Sequence, residues 1–456
     1  MPDASNRDQK YGFLRLVPLL CIGVLLLATF RLYGYAYFWL DDFNNLHWVR
    51  DRTFPEAIGL VLSPSAAHFR PTGMLVYQIA GVLFGRDPKP YHWLMWAIHA
   101  FNVGLVYIVL KRLTLSRAGA AVGALFFAYP PVFNDLFWSF GTIFELTGAA
   151  LFFTGMLVWH QQKRNLGVVL LATAVFILAL KAKEMAITLP AVWILQDLLL
   201  RRPLRWKELV AVVFPGIVGA WFGFQRLVLM QAPEPAQPYY MDLRGITMGR
   251  GFAHYFNALL GTNWRWQYWC IGFVALLLVF ALLRWRRVFF FQAYIFVTFL
   301  PIIFLINHRD PFYWYFPMLG ICGILAMLTR SITDWLAPKI PERRLALSAS
   351  ISFALLSLSV YAWSCDTMRE RREWQAGIGR EYRGFVESLQ ALPTPNPGET
   401  LYFKSIPEHF DADTLLFASE FALQIPGVYA QIVEDFPPGA RYRLVFENSR
   451  VIMQGQ

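Results

Sequence analysis

An all-α polytopic membrane protein with about eleven transmembrane helices and a small C-terminal α/β appendage is the fold class this sequence predicts. Three observations carry that expectation. Only 16% of the residues are charged against 57% hydrophobic, where soluble domains run nearer a quarter charged. Apolar runs of about 20 residues, the length that crosses a bilayer, recur over the first four fifths of the chain. The Lys and Arg residues gather between those runs, so the net charge of +11 reads as membrane topology and excludes a nucleic-acid-binding surface.

The runs fall at 13–34, 89–110, 118–134, 141–159, 165–181, 185–200, 209–229, 266–283, 288–306, 312–329 and 345–364. The first has a basic approach (Arg7, Lys10, Arg15), but Phe30, Arg31, Leu32 and Tyr33 follow it where a cleaved leader would carry small residues. It is therefore expected to stay as a span. Lys111, Arg112 and Arg117, then Lys163 and Arg164, then Arg201, Arg202, Arg205 and Lys207 fall on the N-terminal side. Arg284, Arg286 and Arg287, then Arg330, Lys339, Arg343 and Arg344, fall there too. The positive-inside tendency makes that side cytoplasmic. The expected location is the cytoplasmic (inner) membrane, with a membrane domain over 1–364 and an extracytoplasmic C-terminal domain over 365–456. Cys21, Cys270, Cys322 and Cys365 form no CxxC pair, which argues against a disulfide framework or a zinc site.

The outer loops are then 35–88, 135–140, 181–184, 230–265 and 307–311. In the first, Pro71 to Gly85 is an apolar helix too short to span, with Pro71 suited to its first turn, expected to lie on or dip into the outer leaflet. The loop at 230–265 opens with Pro233, Pro235 and Pro238 and carries Trp264, Trp266 and Trp269 as an interfacial belt. In the tail, Trp374, Ile378, Phe385 and Leu389 recur at helical spacing before Pro393, Pro395 and Pro397. Thr400–Phe403 and Arg441–Phe446 alternate as strands do, with a mixed segment between them.

Polar groups gather on the outer side. Adjacent carboxylates, Asp41 and Asp42, sit just past the first span between aromatics, where each charge needs water, a partner or a substrate; a carboxylate there could deprotonate a hydroxyl. His68 and Arg70 stand at the mouth of the short helix. Asp135 follows Pro130-Pro131, and Glu145 lies just inside the fourth span. Lys181, Lys183 and Glu184 share a tight hairpin, and His308, Arg309 and Asp310 precede Tyr313 and Tyr315. Cations on a translocated surface run against the topology tendency; they read either as snorkelling chains paired with carboxylates or as a phosphate site that stabilises a leaving group. His92, His99 and Asn102 share one helix face and are expected to bond between helices. No cofactor is assigned; a divalent cation at Asp41, Asp42 and a histidine stays open, although the spacing matches no zinc motif.

These residues resemble a family. An acidic pair in the first outer loop of a many-span protein is the hallmark of the GT-C glycosyltransferases, and the chain is similar to bacterial relatives of the transmembrane-and-TPR O-mannosyltransferases. The likeness rests on Phe38-Trp39-Leu40-Asp41-Asp42, Phe69-Arg70-Pro71, Tyr91-His92-Trp93-Leu94 and His99-Ala100-Phe101-Asn102. Val106-Tyr107, Ala182-Lys183-Glu184 running to Pro190, and Tyr313-Trp314-Tyr315-Phe316-Pro317 complete it. The chain departs from the pattern in having no TPR array, Phe133 for the family's histidine, and Thr142 for its arginine.

The resemblance implies an inverting glycosyltransferase that moves a sugar from a polyprenyl-phosphate carrier to an acceptor hydroxyl at the outer face of the membrane. Asp41 or Asp42 would be the catalytic base, and Lys183 and Glu184 would lie near the donor phosphate. Partners would be the lipid-linked donor, membrane lipids, and a protein, lipid or glycan acceptor. A transporter or lipid flippase would instead set charges near mid-span between internal repeats. A polysaccharide polymerase or ligase would favour arginines in large outer loops.

Overall fold

The computed structural model describes residues 17–33, 36–65, 67–161, 164–200, 210–226 and 234–454. Arg7, Lys10, Arg15, Lys163, Arg201, Arg202, Arg205, Lys207 and Pro233 lie outside them. Long apolar segments become helices because a helix satisfies every backbone donor and acceptor internally. In chain order these are α1 (Val17–Tyr33), α2 (Asp41–Arg50), α3 (Phe54–Leu62), α4 (Pro71–Phe84), α5 (Pro88–Thr114) and α6 (Arg117–Ala128). There follow α7 (Ile143–Trp159), α8 (Leu166–Ala182), α9 (Leu189–Leu200), α10 (Val213–Phe224), α11 (Gly245–Leu260) and α12 (Trp266–Leu282). Then come α13 (Arg286–Phe299), α14 (Met318–Leu336) and α15 (Glu342–Thr367).

Among the described residues, Pro88–Thr114, Phe140–Trp159, Met318–Leu336 and Arg344–Thr367 are each long and apolar enough to cross a bilayer alone. Val17–Thr29, Pro71–Phe84, Leu166–Ala182, Val213–Phe224 and Trp266–Leu282 are shorter apolar helices. Helix α12 buries no side chain and exposes Ile271, Val274, Leu278 and Leu282, which suits a lipid-facing surface.

Several boundaries differ from the sequence expectation. The run at 118–134 is not one straight span: α6 stops at Ala128, and a 3-10 helix over Pro131–Phe137 turns away by 56°. Pro130 and Pro131 disfavour α conformation before them and remove backbone donors. Short 3-10 turns, Glu184–Thr188 and Pro311–Tyr315, precede the helices at Leu189 and Met318. The loops expected on the outer side contain α2, α3 and α11, none of which carries an apolar run long enough to read as a span. Helix α4 matches the short outer-leaflet helix within one residue.

Helices α6 and α14 pack closely through glycine. A β-carbon at Gly123 would sit 2.8 Å from the Cys322 carbonyl oxygen, and one at Gly119 would run into the Ala326 carbonyl. Small residues allow this approach where lipid offers no hydrophobic drive to association. Gly123→Leu is expected to force the pair apart at a cost of about 1–3 kcal/mol, seen as a lowered melting temperature. An unchanged melt would show that the contact does not hold the bundle.

The tail forms α16 (Arg369–Gln390), β1 (Thr400–Lys404), α17 (Ala412–Leu423), β2 (Tyr429–Ile432), β3 (Tyr442–Glu447) and β4 (Arg450–Met453). The sheet order is β2-β1-β3-β4, with β1 parallel to β2 and β3, and β3 antiparallel to β4. Phe403, Leu444 and Phe446 bury one face with Phe385 of α16. The tail is anchored at two points, one on the loop and helix after α1 and one on the Pro131–Phe137 turn. Phe421 of α17 meets Phe38 and Phe43 at 5.4 and 5.5 Å between ring centres, while Glu420 binds His47 at 2.7 Å and Arg50 at 3.1 Å. Arg371 and Gln375 of α16 bind Asp135 at 3.2 and 2.8 Å.

Candidate functional site

The loop after α1 delivers two neighbouring carboxylates into different surroundings. Leu40 takes a positive φ of 46° before α2, a sparsely populated conformation for a side chain of its size and of the kind that clusters at functional sites. Asp42 then turns inward and is fully buried. It accepts from the backbone N–H groups of Trp39 (2.9 Å), Phe140 (3.2 Å) and Gly141 (2.7 Å). The Tyr77 hydroxyl donates to it at 2.7 Å and the Ser139 hydroxyl at 3.1 Å. Asp41 stays solvent-accessible and has no hydrogen-bond partner among the described residues. Asp42 holds the loop; Asp41 is available for chemistry.

A ring of charge gathers opposite. Arg70 also has a positive φ, 40°, and its guanidinium is buried. Its Nε donates to both Glu184 carboxylate oxygens at 3.1 Å, and Nη2 reaches the Tyr239 hydroxyl at 3.5 Å. Lys183 is buried and pairs with Glu145, with Tyr313 beneath it at 5.0 Å from the ring centre. His308 contacts Asp310 at 3.3 Å and lies edge-on to Tyr239 and Tyr313, at 5.0 and 5.6 Å. Neither cation exhausts its donors in these pairs: an ammonium carries three N–H bonds and a guanidinium five.

Electrostatic coupling joins the carboxylate to the ring. Surrounding protein pushes the Asp41 carboxyl above its ordinary value, while Arg70 and His308 draw it down. Burial raises Asp42 to about 6 against the pull of its hydrogen bonds from Trp39, Tyr77, Ser139 and Gly141. The His308 imidazole is lowered by burial, with Lys183 and Arg70 acting in the same sense against Asp310. Asp310 is raised by burial, against His308 and Lys183. Burial would raise Glu184, but Arg70 and Lys183 overrule it and hold its carboxyl at about 2.

A carboxyl depressed on folding from 4.5 to about 2 contributes stability that is complete above the higher value and lost as pH falls through the lower. The melting-temperature gap between wild type and Glu184→Gln is therefore expected to narrow as pH falls from 4.5 toward 2. A gap independent of pH would sever Glu184 from its cations.

Asp41, Arg70, Glu145, Lys183, Glu184, His308 and Tyr313 thus converge from across the chain. Other expected site residues do not join them. Lys181 is buried, its ammonium bound to the carbonyls of Val61 and Ser63 at the end of α3. Arg309 turns toward α11, donating to the Leu305 carbonyl at 2.5 Å, while its own carbonyl accepts from His254 at 2.8 Å. Asp135 docks the tail, and His68 takes part through its carbonyl, which accepts from Arg226 at 3.1 Å. Tyr315 points into the bundle. His99 Nε2 faces the Ala128 carbonyl at 3.2 Å, which can only accept, so in the neutral ring Nδ1 accepts the Tyr315 hydroxyl at 2.8 Å. Asn102 completes the chain by donating to Tyr315 at 3.1 Å and to the Leu146 carbonyl at 2.9 Å. These are the interhelical bonds expected of His99 and Asn102; His92, expected to share them, is buried without such a bond among the described residues.

Tyr239 and Arg226 escaped the sequence reading. Tyr239 lies in a loop without periodicity. Arg226, coupled to Glu184 and Arg70, is a cation at the end of an apolar run expected to face outward, a detectable departure from the positive-inside tendency. No group of three or more His, Cys, Asp or Glu suited to a metal ion occurs among the described residues.

No protein-family model matches the chain, and no curated protein matches its sequence. Among solved structures, ArnT from Cupriavidus metallidurans, crystallised with undecaprenyl phosphate, aligns over 91% of this chain and 86% of its own, with a TM-score of 0.52 and 15% sequence identity. At that identity the likeness concerns the fold.

Proposed function

We propose, from a fold shared with the GT-C membrane glycosyltransferases, that this integral membrane protein transfers a sugar from a polyprenyl-phosphate carrier to an acceptor hydroxyl. The observation that carries this reading is the accessible carboxylate of Asp41, electrostatically coupled to the buried Arg70 and to His308, with Arg70 and Lys183 each held by a carboxylate and with donors to spare. The undecaprenyl phosphate bound to ArnT supports a lipid-linked phosphate as the donor.

In this mechanism Asp41 takes the proton of the acceptor hydroxyl as its oxygen attacks the anomeric carbon. The bond from that carbon to the phosphate oxygen breaks, and polyprenyl phosphate leaves with the electron pair. Lys183 and Arg70 stabilise the charge developing on it. Glu145 and Glu184 keep both cations fixed before substrate arrives, so little reorganisation accompanies the reaction. A single displacement inverts the anomeric centre. Basic residues crowd the opposite connections, which supports an outward-facing site with a cytoplasmic N-terminus and an extracytoplasmic tail over 365–456.

The test is radiolabel transfer. Membranes containing the protein, supplied with labelled polyprenyl-phosphate sugar, are expected to produce a labelled product that control membranes lack. Equal label in both would refute glycosyl transfer.

A further inference from the structure

An open groove of about 700 Å³ runs between α2 and α3, within the roughly 300–1,000 Å³ of small-ligand sites. Asp41, Asn44, Trp48 and Asp51 recur at helical spacing, so one face of α2 carries the proposed base and the groove wall together. Asn44 follows Asp41 by about 4.5 Å along the axis, and Asp51 by about 15 Å. Glu56 and Gly59 of α3 form the facing wall. The opposite stripe of α3 exposes Phe54, Ile58 and Leu62, as a helix lying at a lipid interface would. The apolar stripe suits a membrane surface, and Asp41 stands one helical turn before Asn44, on the α2 face that forms the groove wall.

We infer that the α2–α3 groove is the acceptor site and that the acceptor is a saccharide. This deepens the glycosyl-transfer reading and rests on it. Ionised carboxylates only accept hydrogen bonds; Asp51 already accepts from Arg50 at 3.2 Å and meets His47 at 3.5 Å, so Glu56 is the groove carboxylate that suits a ligand rich in donors. Glu56 engages Thr53 through Oε2 alone, leaving Oε1 open among the described residues. Asn44 and Arg52 supply donors for a ligand that also accepts. Trp48, with Arg52 laid over it at 4.0 Å, gives an aromatic edge among these groups. A polyhydroxylated ring both donates and accepts around its rim and offers an apolar face. An anion would meet two carboxylates, and an alkyl chain would leave the polar wall unpaired.

The experiment uses the full-length protein in lipid nanodiscs. Mannotriose and chitotriose are titrated in one arm, and a glycosyl diacylglycerol is doped into the disc in the other, both read by tryptophan fluorescence. Gly59→Trp is the blocking variant: a β-carbon there meets nothing within 4 Å, so the bulky side chain starts in open space on the groove wall. Asn44→Ala, on an exposed position, is the second. Saturable binding of at least one saccharide in wild type, lost in Gly59→Trp and weakened in Asn44→Ala, is the expected result; the responding arm identifies a free or lipid-borne source. No saturable binding in either arm, or binding retained in Gly59→Trp, would overturn the inference. The donor reading is tested separately, by the melting-temperature rise that undecaprenyl phosphate gives in wild type and in Gly59→Trp. Failure there would sink the proposed reaction and leave the groove result standing.

Discussion

Asp41→Asn is expected to eliminate transfer, lowering turnover by about 10²–10⁴-fold, the contribution of a positioned general base. The amide has the size of the carboxylate and no capacity to take a proton. Fold and insertion are expected to survive, because no hydrogen bond among the described residues depends on Asp41. Its carboxyl is raised on folding, so its charge opposes the folded state above that raised value and ceases to do so once protonated. At neutral pH the Asn variant should therefore melt no lower than wild type, with any advantage shrinking as pH falls through the raised value. Wild-type turnover should decline over the same pH interval, and the variant's residual rate should show no such limb. Measuring label transfer and melting temperature across pH checks both. Full turnover in Asp41→Asn would remove the base from the mechanism.

Asp42→Ala is expected to fail for a different reason. Removing this carboxylate strands the buried Phe140 N–H and Tyr77 hydroxyl and takes an acceptor from the half-buried Trp39 N–H, Ser139 hydroxyl and Gly141 N–H, the last of which keeps Ser139 Oγ at 3.0 Å. Each buried unsatisfied donor costs about 1–3 kcal/mol, so the loop carrying Asp41 should come loose from the Ser139–Gly141 turn. Activity and thermal stability should fall together. Loss of turnover without loss of stability would transfer the catalytic role from Asp41 to Asp42; normal stability with normal turnover would deny Asp42 any holding role.

The contrast between these neighbours marks the limit of what could be read from the chain alone. Both aspartates share one residue type, one loop and one aromatic setting, and nothing local distinguishes them. The Tyr77 and Ser139 partners lie 35 and 97 residues away, and only their arrival makes one carboxylate a hub. Lys181 and Lys183 show the same limit. Their hairpin suggested two equivalent cations, yet one binds the carbonyls ending α3 and the other pairs with Glu145. Helix α2 lacks an amphipathic repeat, whereas α3 carried a readable start in its Thr53–Glu56 capping box and was missed because it is too short to register as a span.

What the sequence determined by itself was the membrane character, the order of the apolar helices, the short helix at Pro71 and the helix-and-strand tail. Those follow from length and periodicity, since a bilayer forces each apolar run to satisfy its own backbone. Only the tertiary structure decided which charges meet. Arg70 and Glu184 are 114 residues apart, and whether such groups become a buried pair depends on how helices pack, a many-body outcome that no local spacing encodes.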